Sequence, residues 1–171
     1  MTGGARRDGR AGRERAPGAR LGAARLAAVQ ALYQGDLRGA GAESLIAEFR
    51  NHRLGQDIEG SPAIPPDEAL FSNIVRGVAA RREELDRMIA ELLPPDWPLA
   101  RLEVILRSIL RAGAFELAAH LSTPARVVIT EYVEVGHAFL SGAEPRMING
   151  VLDRLARKLR PGELEEARGD R

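Results

Sequence analysis

Three histidines and no cysteine set the limits of the chemistry this chain can perform. Without a thiol there is no disulfide, no cysteine ligand for zinc and no thiol nucleophile. Glu134-Val135-Gly136-His137 has the Glu-x-x-His spacing that brings a carboxylate and an imidazole onto one helical face. Di-iron bundles use that spacing twice and add a Glu from each of two further helices. No second copy occurs, because Glu116 to His120 and Glu48 to His52 are each one residue too long. A polar outer face is the favoured reading, and no metal or other cofactor is expected. The chain also has no His-Glu-x-x-His, no phosphate-cradling glycine loop between strand and helix, and no nucleophile elbow. An enzyme needs convergent titratable groups. None is legible here, so the chain is expected to be non-catalytic.

Positive charge is the other chemistry on offer, and its position matters more than its sum. The 171 residues have a formal net charge of only +1. Yet residues 1–26 hold Arg6, Arg7, Arg10, Arg13, Arg15, Arg20 and Arg25 against Asp8 and Glu14, a net of +5. A basic arm on a mildly acidic body fits an anionic partner such as nucleic acid. Base stacking needs planar groups beside the cations. Arg20 and Arg25 enter the first helix, with Gln30 and Tyr33 further along it, so these side chains are expected to share a broad face. A solvated helix with a partly buried tyrosine accounts for the same residues equally well. Arg76, Arg81, Arg82 and Arg87 are interleaved with Glu83, Glu84 and Asp86, which reads as a solvated, salt-bridged face.

The elements that must carry these groups are helical almost throughout. Residues 1–19 are Gly, Ala and Arg without hydrophobic period, and are expected to be a disordered arm. Leu21, Ala24, Ala28 and Leu32 then recur at helical spacing, and Gly35 is expected to end or loosen that helix. Leu45, Ile46, Phe49 and Arg53-Leu54 predict a shorter second helix. Residues 55–66, with two glycines and three prolines, read as a loop. Pro66-Asp67-Glu68 predicts a helix start with acid in its first turn. One apolar face then continues to about residue 93, with a change of core contacts expected between Gly77 and Glu84. Pro94, Pro95 and Pro98 stop it.

The next helix is apolar on nearly all sides, from Leu102 to Ala118, and belongs in the centre. Its one polar ridge is Glu103, Arg107 and Arg111, read as exposed i, i+4 partners. Ser122-Thr123-Pro124 predicts a cap with Pro at the first helical position. Gly142 ends that helix, Pro145 starts the last, and Pro161-Gly162 stops it. The domain is expected to span residues 20–161, with 162–171 a flexible tail. Apolar residues are 44% of the chain, enough for one core, but aromatics are only 4%. Leu, Ile, Val and Ala must therefore supply the packing. No run approaches the ~20 apolar residues needed to span a bilayer. The basic N-terminus lacks the apolar stretch of a secretory signal, so a cytoplasmic location is the default. The expected fold is all-α, about seven helices, with short links implying antiparallel neighbours.

Several segments, in order, resemble the transcription antitermination factor NusB family. Val29-Gln30-Ala31-Leu32-Tyr33 is similar to the close of its Arg-led first helix. Ile74-Val75-Arg76-Gly77-Val78 is similar to part of its long helix. Leu106-Arg107 followed by Ala114-Phe115-Glu116-Leu117 resembles its central helix. Thr123-Pro124 with Val128-Ile129-Thr130-Glu131, and Ile148-Asn149-Gly150-Val151-Leu152-Asp153, complete the set.

The resemblance implies two small antiparallel helical bundles. It implies binding of boxA RNA with NusE, a small-subunit ribosomal protein, in the antitermination complex of RNA polymerase. Matched residue by residue, its RNA side includes Arg25 and Asn149, with Tyr33 near both RNA and NusE; with Arg20, Gln30, Arg146 and Met147 these are the residues expected to bind RNA. Glu103 matches a partner-contacting Glu, and Tyr33, Glu103 and Arg107 are the residues expected to meet the protein partner. Departures occur where Leu21, Gly22 and Ala23 dilute the family's arginine cluster. Met147 replaces an aromatic, and the loop Ser141–Arg146 is about two residues short. Two other readings remain: a detached NusB-like module of an RNA cytosine methyltransferase, and a helical adaptor that binds protein only.

Overall fold

The computed structural model describes residues 17–52 and 64–166. Among these, every regular element is helical. In chain order they are α1 (Pro17–Arg38), α2 (Ala42–His52), α3 (Glu68–Ala80), α4 (Arg82–Ala90), α5 (Val104–Ala119), α6 (Ala125–Phe139), α7 (Glu144–Leu159) and the single turn α8 (Glu163–Glu166), with a 3₁₀ turn at Leu99–Arg101 before α5. None is long and apolar enough to cross a membrane.

α5 is the axis. Every residue from Ser108 to Leu117 is buried, as its apolar circumference requires. α1, α3, α4, α6 and α7 all pack on it, and α1–α2–α3 and α5–α6–α7 form the two bundles. Small residues allow the close approach. A β-carbon on Gly113 would lie 2.8 Å from Leu152 Cδ1, and one on Gly77 would run into the Phe115 ring. Ala24, Ala28 and Ala31 of α1 are fully buried for the same reason. Phe49 and Phe71 stack at 5.7 Å between α2 and α3.

Several boundaries differ from the sequence expectation, each for a local reason. α1 begins at Pro17, so residues 17–19 are helical, while the rest of the predicted arm lies outside the described residues. α1 does not stop at Gly35. It runs to Arg38 and ends at Gly39, whose φ of 67° only glycine adopts cheaply. Gly35 instead makes room for Leu45, whose Cδ1 sits 2.7 Å from where a β-carbon would be. The predicted Arg53-Leu54 end of the second helix lies outside the described residues, as does most of the predicted loop 55–66.

The long helix starts as predicted, with Asp67 capping Leu70 N at 2.9 Å. It is two helices, not one, broken at Arg81 (φ −113°, ψ 18°) where its core contacts change. Ser122 and Thr123 do not cap α6. Glu163 Oε1, reaching over from α8, accepts from Ala125 N at 2.7 Å. The segment after Pro161 therefore includes a short helix that docks through Leu164, which is 4% exposed. Arg160 completes this corner. Its buried guanidinium donates to the carbonyls of Leu117 and Glu116 at the end of α5 and of His120 and Thr123 just beyond, which closes the open C-terminus of the central helix.

Candidate nucleic-acid interface

The predicted site residues divide over α1, the start of α5 and the outer face of α7. On α1, Arg20 is exposed and reaches Pro65 O at 3.3 Å, while its own carbonyl accepts from Asp67 N. It thus stands where the chain enters α3. Gln30 and Tyr33 are half-buried, with part of each side chain facing solvent.

Arg25 does not join them. It is 3% exposed and gives Glu116 two hydrogen bonds, 2.7 and 3.0 Å, with Glu131 at 3.7 Å. Five residues turn a helix by about 140°, so Arg25 points into the core when Gln30 points out. In this structure its guanidinium is spoken for, and its direct task is to hold α1 on α5. Burial alone would lower its pKa, but the Glu116 hydrogen bond and charge outweigh that and raise it.

Glu116 is the centre of this knot, and the sequence reading missed its part. It is fully buried and accepts from Arg25 on α1 and from the Tyr132 hydroxyl on α6, while His120 Nδ1 lies 3.5 Å away. The His120 ring in turn meets Asn73 of α3 and the edge of Phe115. Burial, then the charge of Glu116, pushes the Tyr132 hydroxyl well above its ordinary range. A signal was available. An acid at the end of an all-round apolar helix must find a cation, and Arg25 was the candidate on the next-door helix.

The Glu103–Arg107–Arg111 ridge is also broken up. Glu103 is exposed at the position before α5, and its carboxylate has no partner among the described residues. Arg107 is half-buried and reaches back to Ala100 O at 3.3 Å rather than to Glu103. Its Nε is buried without a partner. Arg111, expected on the surface, is 5% exposed and clasped by Asp86 of α4 (2.7 and 3.0 Å) and Asp36 of α1 (2.8 Å). Asp36 also takes Arg82 at 2.8 Å. Burial opposes the Arg111 charge, yet Asp86 and Asp36 raise its pKa on balance. The cause of the miss is crowding: α5 is contacted on every side, so no face of its middle remains for solvent. Of the basic stretch from Arg76 to Arg87, Arg81 pairs with the interleaved Glu84, while Arg76 reaches Glu43 on α2 and Arg82 reaches Asp36 on α1.

On α7 the predicted residues keep their exposure. Arg146 and Asn149 face solvent, and Met147 is half-buried against the core. Gly142 (φ 93°) makes the turn before the helix, and Pro145 opens it from a buried position. The α1 and α7 sets are carried on separate helices, both packed on α5 and α6. Beside α1, a cleft of about 250 Å³ runs between Leu32, Gly35, Leu45 and Val78, with Asp36 and Arg82 at its edge. That is smaller than small-molecule sites usually are. The Glu134–His137 pair is exposed on α6, and no group of three metal-ligating side chains occurs among the described residues.

An all-helical pair of bundles packed around one buried helix, with Arg20 exposed on α1 and Arg146 on α7, defines the class of fold. Its family is specific: residues 22–157 match the NusB family, and the chain belongs to it. It is 50% identical over 145 residues to the transcription antitermination protein NusB of Rhodopseudomonas palustris, covering 85% of this chain and 86% of that protein. The protein of the same name from Nitrobacter hamburgensis is 49% identical, with 85% and 91% covered. Among solved structures, T. maritima NusB superposes with a TM-score of 0.70 at 27% identity, over 85% of this chain and 96% of that one. A chain from a crystal structure of NusB and NusE with double-stranded RNA shares the fold, with a TM-score of 0.64 at 24% identity over 80% and 96%.

Proposed function

We propose that this protein is a non-catalytic transcription antitermination factor. In this reading it binds boxA-type RNA in ribosomal leader transcripts together with NusE, and the pair helps RNA polymerase read through terminators in the cytoplasm. The observation that carries the reading is near-half identity, over most of both chains, to proteins named for antitermination. The surface is consistent with it. Arg20, Gln30 and Tyr33 on α1 and Arg146, Met147 and Asn149 on α7 supply cations, an aromatic ring and amides, the groups that meet phosphates and splayed bases. Glu103 suits a basic ribosomal protein and would repel RNA. Arg107, seated behind it, holds the turn at Ala100 and belongs to the same partner side.

The test is a gel-shift titration with a boxA RNA, with and without NusE. Binding that tightens with NusE is expected; failure to bind in either condition overturns the reading. Glu103→Ala is expected to weaken NusE association and spare RNA binding, and Asn149→Ala to do the opposite. If both variants leave both affinities unchanged, the division of faces fails while the family assignment stands.

A further inference from the structure

The outer face of α7 carries a cation that the site above leaves out. Arg154 is exposed and forms no ion pair among the described residues. Its neighbours behave otherwise: Arg157 is tied to Asp153 at 2.8 Å, and Lys158 lies 3.6 Å from Glu91. Among the described residues, Arg154 donates one hydrogen bond, from Nε to Gly150 O at 3.1 Å, one turn back along its own helix. A β-carbon on Gly150 would stand 3.5 Å from Arg154 Nη2. The guanidinium is therefore folded down over the glycine, held by Nε, with its two terminal amino groups left to donate.

Arg146, Gly150 and Arg154 fall at i, i+4 and i+8, on the side of α7 away from its buried Ile148, Leu152 and Leu155. Two turns separate the two arginines, about 12 Å along the axis. Between them Gly150 has no side chain, and the Arg154 guanidinium rests over its backbone. Among the described residues neither arginine is paired with an acid, and Asp153, next to Arg154 in the chain, is engaged by Arg157.

Resting on the RNA-binding reading, we infer that Arg154 is a further phosphate contact, and that Gly150 is the gap through which the RNA backbone reaches it. The interface then runs along α7 from Arg146 past Asn149 to Arg154 instead of ending at the first turn of the helix. A guanidinium with free terminal donors suits a phosphate. A glycine where two backbones approach is its usual use outside turns.

The test is titration of boxA RNA by the full-length protein at several salt concentrations. Arg154→Gln is expected to weaken binding about tenfold, as for one lost charged contact, and to reduce the salt slope by about one. Gly150→Gln puts a side chain where the Arg154 guanidinium rests, while keeping every charge. It is expected to weaken RNA binding comparably, yet to raise the melting temperature, because glycine is a poor helix residue and this position has space. Arg87→Gln, at an exposed position of α4, controls for the general loss of one charge and is expected to change affinity less than twofold. Wild-type protein that does not bind boxA overturns the functional reading itself. Wild-type binding with Arg154→Gln no weaker than Arg87→Gln, or a Gly150→Gln variant that binds normally, overturns this inference alone. Weakened NusE association with intact RNA binding would also overturn it, by assigning the ridge to protein.

Discussion

At the scale of single residues, the same side-chain type does opposite jobs, and burial decides which. Arg25 and Arg154 are both arginines on helix faces. One is sealed against Glu116 and the other is open to solvent. Arg25→Ala leaves Glu116 buried with its cation gone, and is expected to cost about 3–5 kcal/mol of stability. Loss of RNA binding by that variant would therefore report on folding, and thermal melting must be measured beside it.

Tyr132 gives a separable signature. Its hydroxyl is held neutral by burial and by Glu116, well above the ordinary value of 10.0. A raised pKa of this kind contributes stability that is complete below the unfolded value and is lost as pH rises beyond it. Stability is expected to fall above about pH 10 in the wild type from this group, and Tyr132→Phe is expected to flatten that alkaline limb. Denaturant melts of the two proteins across pH 8 to 11 check it. Identical limbs would remove Tyr132 from the account.

At the scale of elements, the central helix sets the rules for everything that touches it. Because α5 is surrounded, a charged residue in its middle must carry its partners inward, and Arg111 does so with Asp36 and Asp86. Those partners lie on α1 and α4, so this one guanidinium joins three helices. Arg111→Ala is expected to destabilise by on the order of 2–4 kcal/mol, less than a fully enclosed pair because Asp86 retains some solvent. Arg107→Ala, which loses a contact to a turn carbonyl, is expected to cost about 1 kcal/mol. Equal melting temperatures for the two variants would mean that the clasp contributes nothing. Element ends follow the same logic. Asp67 caps its own helix, whereas α6 borrows Glu163 and α5 borrows Arg160 from the far end of the chain.

At the scale of the whole molecule, charge is distributed so that the body is largely self-neutralised and the N-terminus is not. Residues 1–16 carry five arginines against Asp8 and Glu14, just before α1 begins. Their proposed role is sequence-independent attraction to RNA through counterion release. Removing residues 1–16 is expected to leave the thermal unfolding of the body within about 1 kcal/mol. It is also expected to weaken boxA binding and flatten its dependence on salt. An unchanged salt slope, or an unfolded product, would sink this role.

Sequence alone determined the helical class, the central place of the segment 102–118 and most stops and starts, since periodicity, proline and positive-φ glycine act within a few residues. It also carried the family, through ordered segments such as Val29–Tyr33 and Ile148–Asp153. Tertiary structure decided which polar residues were for the protein itself. Arg25, Glu116 and Arg111 have partners 25 to 91 positions away, beyond any local pattern. Whether Glu103 and Arg154 stay unpaired was likewise undecidable before their neighbours were placed. The reason is energetic: a charge may be buried only where an opposite charge is already waiting, and only the packed fold shows where that is.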